Sequence, residues 1–377
     1  MKNWILLLIG IAFCSIYGRS QGVTVNFDLD TNSWNIGKPM KLWLDFLGTK
    51  DDSAGAAYWN EAELKKYGNS RYFGLKREVD FGQSNYLEFL SYGNLRVLSI
   101  RERGEYFKIS NMLSFTNEAG TQDVYFMFHV YAGLENGSMK LFNALEINTQ
   151  YLAHQKVGFI NYYYPKKHVF NREKAERQND FLVELANNFN VPTAQVDYYF
   201  TETTEEMQEI KGFDFIFGDN GANMPTGISY IMERQVFSNG SGEYYPHEII
   251  HVLLNPHYRK SHYWINEGVA TYFGMSRGKE LDWHLEKLQK HLAEHPEIDL
   301  GEMLKLVRID GTTGYSYVLG GYIVKSIFEE GGYSALKLAM NEGRKEADFY
   351  RLIKEYLGVK RKDINSVFRE RIEALKF

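Results

Sequence analysis

The sequence predicts an α+β protein made of two folded domains behind a short leader, and three observations carry that prediction. Residues 22 to about 155 hold period-two apolar runs separated by turn residues, the pattern of strands. From residue 158 strand and helix patterns are mixed, and beyond residue 281 apolar residues recur at helical spacing. At 377 residues, 44% of them hydrophobic, the chain can bury two cores. Its formal net charge of −5 gives no basic excess with which to neutralise phosphates, so no nucleic-acid partner is expected.

Residues 1–20 read as a cleavable signal peptide. Lys2 supplies the positive start, and Ile5 to Phe13 is an apolar run too short to span a bilayer comfortably. Gly18 and Ser20 are small residues at the two positions a signal peptidase reads, which makes Gln21 the mature N-terminus. Cys14 is the only cysteine. Lipid anchoring through it is disfavoured by bulky Phe13 just before it, and cleavage before Gln21 removes it, so no disulfide is expected in the mature chain. The expected location is periplasmic or extracellular, with no transmembrane segment once the leader is removed.

Residues 21–155 are predicted as a β-rich domain. Val23 to Phe27, Lys41 to Phe46 and Val124 to Val130 alternate as strands do, and turn signals fall at Gly68-Asn69, Tyr92-Gly93-Asn94 and Glu135-Asn136-Gly137. His129 lies in an apolar strand and reads as a core histidine. The second domain, 156–377, opens with a strand from Gly158 to Pro165. Asn171 then caps a helix with the stripe Phe181, Leu182, Leu185, Ala186 and Phe189, closed by Asn190 and Pro192. Further strands are expected at 196–200, 213–217, 227–231 and 235–237, with a short helix over 203–210. One of the last strands is a natural edge for an extended peptide. Leu281, Leu285, Leu288 and Leu292 share a helical face. Phe349, Leu352, Ile353, Tyr356 and Leu357 form a second stripe, and Ile364, Val367, Phe368, Ile372 and Leu375 a third.

The functional signal lies between Tyr244 and Gly274. His247-Glu248-Ile249-Ile250-His251 is an H-E-x-x-H motif, and on a helix residues four apart stand on one face, so both imidazoles can reach one metal ion. Pro246 suits the first turn of that helix, and Asn255-Pro256 ends it. A catalytic metal needs a third ligand. His257 stands six residues after His251, as in Met-turn enzymes, but Leu254 occupies the glycine position and Pro256 precedes it, so that variant is rejected. Glu267, in Trp264-Ile265-Asn266-Glu267-Gly268-Val269-Ala270, is the better candidate, because a helix–loop–helix folds it back onto the first helix.

H-E-x-x-H followed by W-x-N-E-G-x-A resembles the gluzincin zinc metallopeptidases of the peptidase MA-like superfamily, which includes the aminopeptidase N and thermolysin-like families. The resemblance covers roughly the last 220 residues. It implies a gluzincin-type catalytic domain: a small mixed sheet, active-site helices and a helical C-terminal part. It also implies one Zn²⁺ per chain, held by His247, His251 and Glu267, with Glu248 as general base. In the aminopeptidase-like branch a Tyr-x-x-Gly at a helix start supplies an oxyanion donor; Tyr317-Val318-Leu319-Gly320 resembles it, making Tyr317 the catalytic candidate and Tyr315 the fallback. Gly221-Ala222-Asn223-Met224 lacks the glutamate with which aminopeptidases bind a free amine, and it reads as a turn. Asn266 and Thr271 are candidates to orient the ligand imidazoles. His262, His284, His291 and His295 read as ordinary loop or helix-surface residues.

The function expected is an exported zinc-dependent peptidase acting on peptide or protein substrates. The alternative is a non-proteolytic envelope binding or scaffold protein that keeps the fold.

Overall fold

A computed structural model of the chain describes residues 23–26, 29, 35–49, 52–67, 93–217 and 225–377. The leader, Cys14, the Gly68-Asn69 turn, Tyr92 and Gly221-Ala222-Asn223-Met224 lie outside those residues. The fold is α+β and contains two mixed sheets. The chain divides into two compact units, 1–152 with 204–222, and 153–203 with 223–377.

In the first unit the strands Val23–Val25, Asn94–Arg103, Tyr106–Thr116, Gln122–Glu135 and Ser138–Phe142 lie in that order. Only the first pairing is parallel. The hairpin after Glu135 turns through Asn136 and Gly137, whose φ values of 50° and 78° suit the two-residue turn that an Asn-Gly pair favours. His129 is buried in the central strand.

Two expectations fail in this unit. Lys41 to Phe46 is not a strand but part of a helix, Gly37–Leu47, which buries Pro39, Trp43 and Phe46. The alternation of Leu42, Leu44 and Phe46 suggested a pleat, but the deciding anchors fall three and four apart. Both aromatic rings are fully buried, and Trp43 Nε1 donates to Asn111 Oδ1 at 2.8 Å. The segment 204–217, assigned from sequence to the second domain, belongs here instead. Its strand Phe213–Ile216 pairs antiparallel with Phe126–Phe128, and Phe213 joins this unit's core. Local periodicity identifies such a strand but not its partner.

The second unit starts at Ala153, slightly before the expected 156, because Ala153–Val157 pairs with Ile160–Tyr164. Its sheet runs Thr226–Tyr230, Gln235–Asn239, Val196–Thr201, Ile160–Tyr164, Ala153–Val157. The inner three strands are parallel and the two outer strands antiparallel. Among the described residues Thr226–Tyr230, the edge strand, is bonded on one side only. The helix Arg172–Phe189 is capped by Asn171, whose side chain accepts from Lys174 N at 3.0 Å, and it ends on Asn190 in the left-handed region. Leu182, Leu185, Ala186 and Phe189 are buried, the face the stripe predicts.

Three further helices build the site: Pro246–Leu254 (the histidine helix), Tyr263–Gly274 (the glutamate helix) and Tyr315–Ala339 (the tyrosine helix). The glutamate helix is wedged between the other two by glycines. A Cβ at Gly268 would lie 2.3 Å from the Gly320 carbonyl oxygen, and one at Gly320 would lie 2.4 Å from the Trp264 oxygen. A Cβ at Gly274 would lie 2.8 Å from the backbone nitrogen of His247. Backbone meets backbone at these crossings, so no side chain can yield. Gly268→Ala is therefore expected to cost about 3 kcal/mol, at the upper end for overpacking. Thermal melting reads this as a lowered midpoint; a variant that melts with the wild type would show that the crossing can open freely.

Candidate metal centre

The histidine helix is buried on every side, from Pro246 in its first turn to Leu254. An all-round apolar helix has a fixed position, so its two histidines point in one defined direction. The glutamate helix begins where His262 caps it, the ring Nδ1 accepting from Trp264 N at 3.2 Å. Glu267 follows in the next turn, on the side facing the histidines.

The three side chains converge. Glu267 Oε2 lies 3.4 Å from His247 Nε2 and 3.5 Å from His251 Nε2, and the three ligand atoms are all within 4.8 Å of one another. Tetrahedral ligands about 2.05 Å from a zinc ion stand about 3.3 Å apart, so the spacing fits one such ion. The tautomer fits as well. His247 Nδ1 contacts the Met275 carbonyl at 2.6 Å, which fixes a proton on Nδ1 and leaves Nε2 as the nitrogen turned toward Glu267. The Asn255 side-chain amide lies 3.4 Å from His251 Nδ1.

The electrostatics describe a pocket for one cation. Burial alone would lower the pKa of His251, but the charge and hydrogen bond of Glu267 outweigh it and push it up to about 9. Burial would raise Glu267, yet the two imidazoles hold its carboxyl far below the usual range. A carboxylate so placed attracts positive charge, whether a proton on histidine or a metal held by all three groups.

Glu248 is buried beside the triad, one residue past a ligand. The edge strand runs directly against it: a Cβ at Gly227 would lie 2.7 Å from Glu248 Cγ and 2.6 Å from the Tyr245 ring. Only glycine lets the strand come this close. Tyr317 is half-buried, and its ring meets that of His247 edge-on at 5.9 Å. Burial, followed by the charge of Glu267, raises its pKa, so its hydroxyl keeps its proton and can donate. Tyr315, two residues earlier, turns elsewhere and bonds His291 Nε2 at 3.1 Å. His257 is exposed and outside the cluster.

Several neighbours were not legible in the sequence. Asn266 Oδ1 and Thr271 Oγ1 are buried without a hydrogen-bond partner among the described residues, so neither oxygen orients a candidate imidazole. That role falls to the Met275 carbonyl and the Asn255 amide. Met275, Arg277 and Gly278 all have positive φ, which curls the chain back under His247 after the glutamate helix. His284 is no surface residue. It is fully buried, contacting the Ser276 carbonyl through Nε2 at 3.0 Å and Thr313 Oγ1 through Nδ1 at 2.9 Å, and so holds this turn in place. It stands three residues after Leu281 on the stripe of that helix, the one signal that could have found it. His262 is buried too, because it caps a buried helix. Tyr245 also escaped notice; its buried ring stacks near His247 at 6.1 Å.

No family model matches the chain, and no curated protein matches it.

Proposed function

We propose that the protein is an exported zinc-dependent metallopeptidase of gluzincin type, with His247, His251 and Glu267 holding the ion. The observation that carries this reading is the convergence of those three ligand atoms, with Glu248 on the histidine helix under a strand that is the sheet's edge among the described residues. When bound, zinc would lower the pKa of water and polarise a carbonyl. The chain's own groups supply the rest. The edge strand aligns an extended peptide by backbone hydrogen bonds and brings its carbonyl over Glu248. Glu248 takes the proton of the attacking water and passes it to the departing amine nitrogen. Tyr317 donates its hydroxyl proton as a hydrogen bond to the carbonyl oxygen as charge builds there. Met275 and Asn255 keep the imidazoles turned toward the ligand position.

The test is a peptide-library cleavage profile with and without a chelator. Cleavage that chelation abolishes and zinc restores is the expected result; no cleavage by zinc-loaded protein would sink the reading. Export rests on residues 1–20 alone. Protein recovered from the producing cell should begin at Gln21, and N-terminal sequencing that started at Met1, or a lipid found on Cys14, would overturn that part. No helix among the described residues is long and apolar enough to cross a membrane.

A further inference from the structure

We infer that Arg277 binds a carboxylate on the leaving-group side of the scissile bond, either the free C-terminal carboxylate of a short peptide or an acidic side chain just beyond the cleaved bond. The inference rests on the proposed reading, in which a peptide lies along the edge strand. That strand is bonded to Gln235–Asn239 on one side and, among the described residues, has no strand on the other. A peptide pairing antiparallel with it runs its carboxyl-terminal half toward the start of the strand, at Pro225. The turn carrying Arg277 closes that end. A Cβ at Gly278 would lie 3.4 Å from Pro225 Cγ, and the Met275 carbonyl is 2.6 Å from His247 Nδ1. Arg277 is therefore set between a metal-ligand candidate and the beginning of the edge strand.

Its backbone is built for that place. Arg277 has φ 52° and Met275 φ 68°, a left-handed conformation that non-glycine residues adopt only where their surroundings impose it. The positive charge of Arg277 partly offsets the upward pull of burial on the hydroxyls of both Tyr245 and Tyr317. Arg277 is half-buried and makes no ion pair among the described residues. A partly desolvated planar cation is suited to a carboxylate, which it can grip with two parallel hydrogen bonds.

The experiment separates binding from turnover. Zinc-loaded protein carrying Glu248→Gln is titrated with labelled hexapeptides, and binding is read by fluorescence anisotropy. One pair of peptides differs only in a free or amidated C-terminus; a second, amidated pair carries aspartate or asparagine beyond the scissile bond. In one pair the carboxylate form should bind about 10- to 100-fold more tightly, the range for a charge-assisted hydrogen-bonded pair. The pair that shows it names the source of the carboxylate. Adding Arg277→Gln should bring that ratio close to one, and Arg277→Lys should keep part of it. Should Arg277→Gln fold poorly, the ratios of the Arg277 protein and of Arg277→Lys decide. Equal binding within both pairs, binding of no peptide, or discrimination untouched by Arg277→Gln overturns the inference. The same peptides are then offered to protein with Glu248 intact. Cleavage without carboxylate preference sinks this inference and spares the peptidase reading; carboxylate-selective binding with no cleavage does the reverse.

Discussion

Glu248→Gln is expected to keep its full metal content and to lose about 10²- to 10⁴-fold in peptide hydrolysis, the usual contribution of a general base. That corresponds to roughly 3–5 kcal/mol of barrier. The reason is geometric. Glu248 shares the histidine helix but stands outside the three converging ligand atoms, so an amide there leaves the ligand set intact. The amide oxygen is a poor base and cannot take a proton from water. Its buried position against Gly227 is kept, since glutamine has nearly the same shape. Tyr317→Phe should lose less, because it removes one donor and leaves proton transfer untouched. Turnover and bound zinc measured together check both variants. If Glu248→Gln turned over at the wild-type rate while a chelator still protected the substrate, the assignment of the base would fall.

Glu267→Ala is expected to abolish stoichiometric zinc binding, and activity with it. Removing a partner that merely orients a ligand costs about 10- to 100-fold in metal affinity, so removing a ligand should cost more than about 100-fold. Two imidazoles on one helix would remain, 5.0 Å apart between ring centroids, without the carboxylate that lies against both. Zinc that binds the folded state raises its stability by mass action, so the wild type should melt higher with added zinc and the variant should not. Metal analysis after dialysis gives the direct readout. A variant that retains one zinc per chain would mean that another group completes the site.

The parts of this site legible in the sequence are those set by local geometry. Four-residue spacing places His247 and His251 on one helical face in any helix that contains them. Pro246 and Asn255-Pro256 mark the ends of that helix, and Asn171 and Asn190 do the same for Arg172–Phe189. Asn136-Gly137 chooses its hairpin turn because both residues tolerate positive φ. Glu267 could be singled out only because a helix–loop–helix brings nearby segments together. Its separations of 3.4 and 3.5 Å come from the fold.

What the tertiary structure alone decided depends on partners distant along the chain. Residues 41–46 satisfy a strand pattern by sequence, yet burial of Trp43 and Phe46 makes them helical. The strand at 213–216 reads correctly as a strand, but its neighbour, Phe126–Phe128, is some ninety residues earlier. Gly227 and Gly268 are ordinary glycines in the sequence and become necessary only where another element touches their backbone. The Met275 carbonyl carries no side-chain signal at all, and Arg277 and His284 gain their roles from the turn that returns under His247. Residue type and spacing determine which groups can face the same way along one element. Which groups meet across elements is set by close packing, because backbone approach and buried hydrogen bonds are satisfied only when the whole unit is assembled.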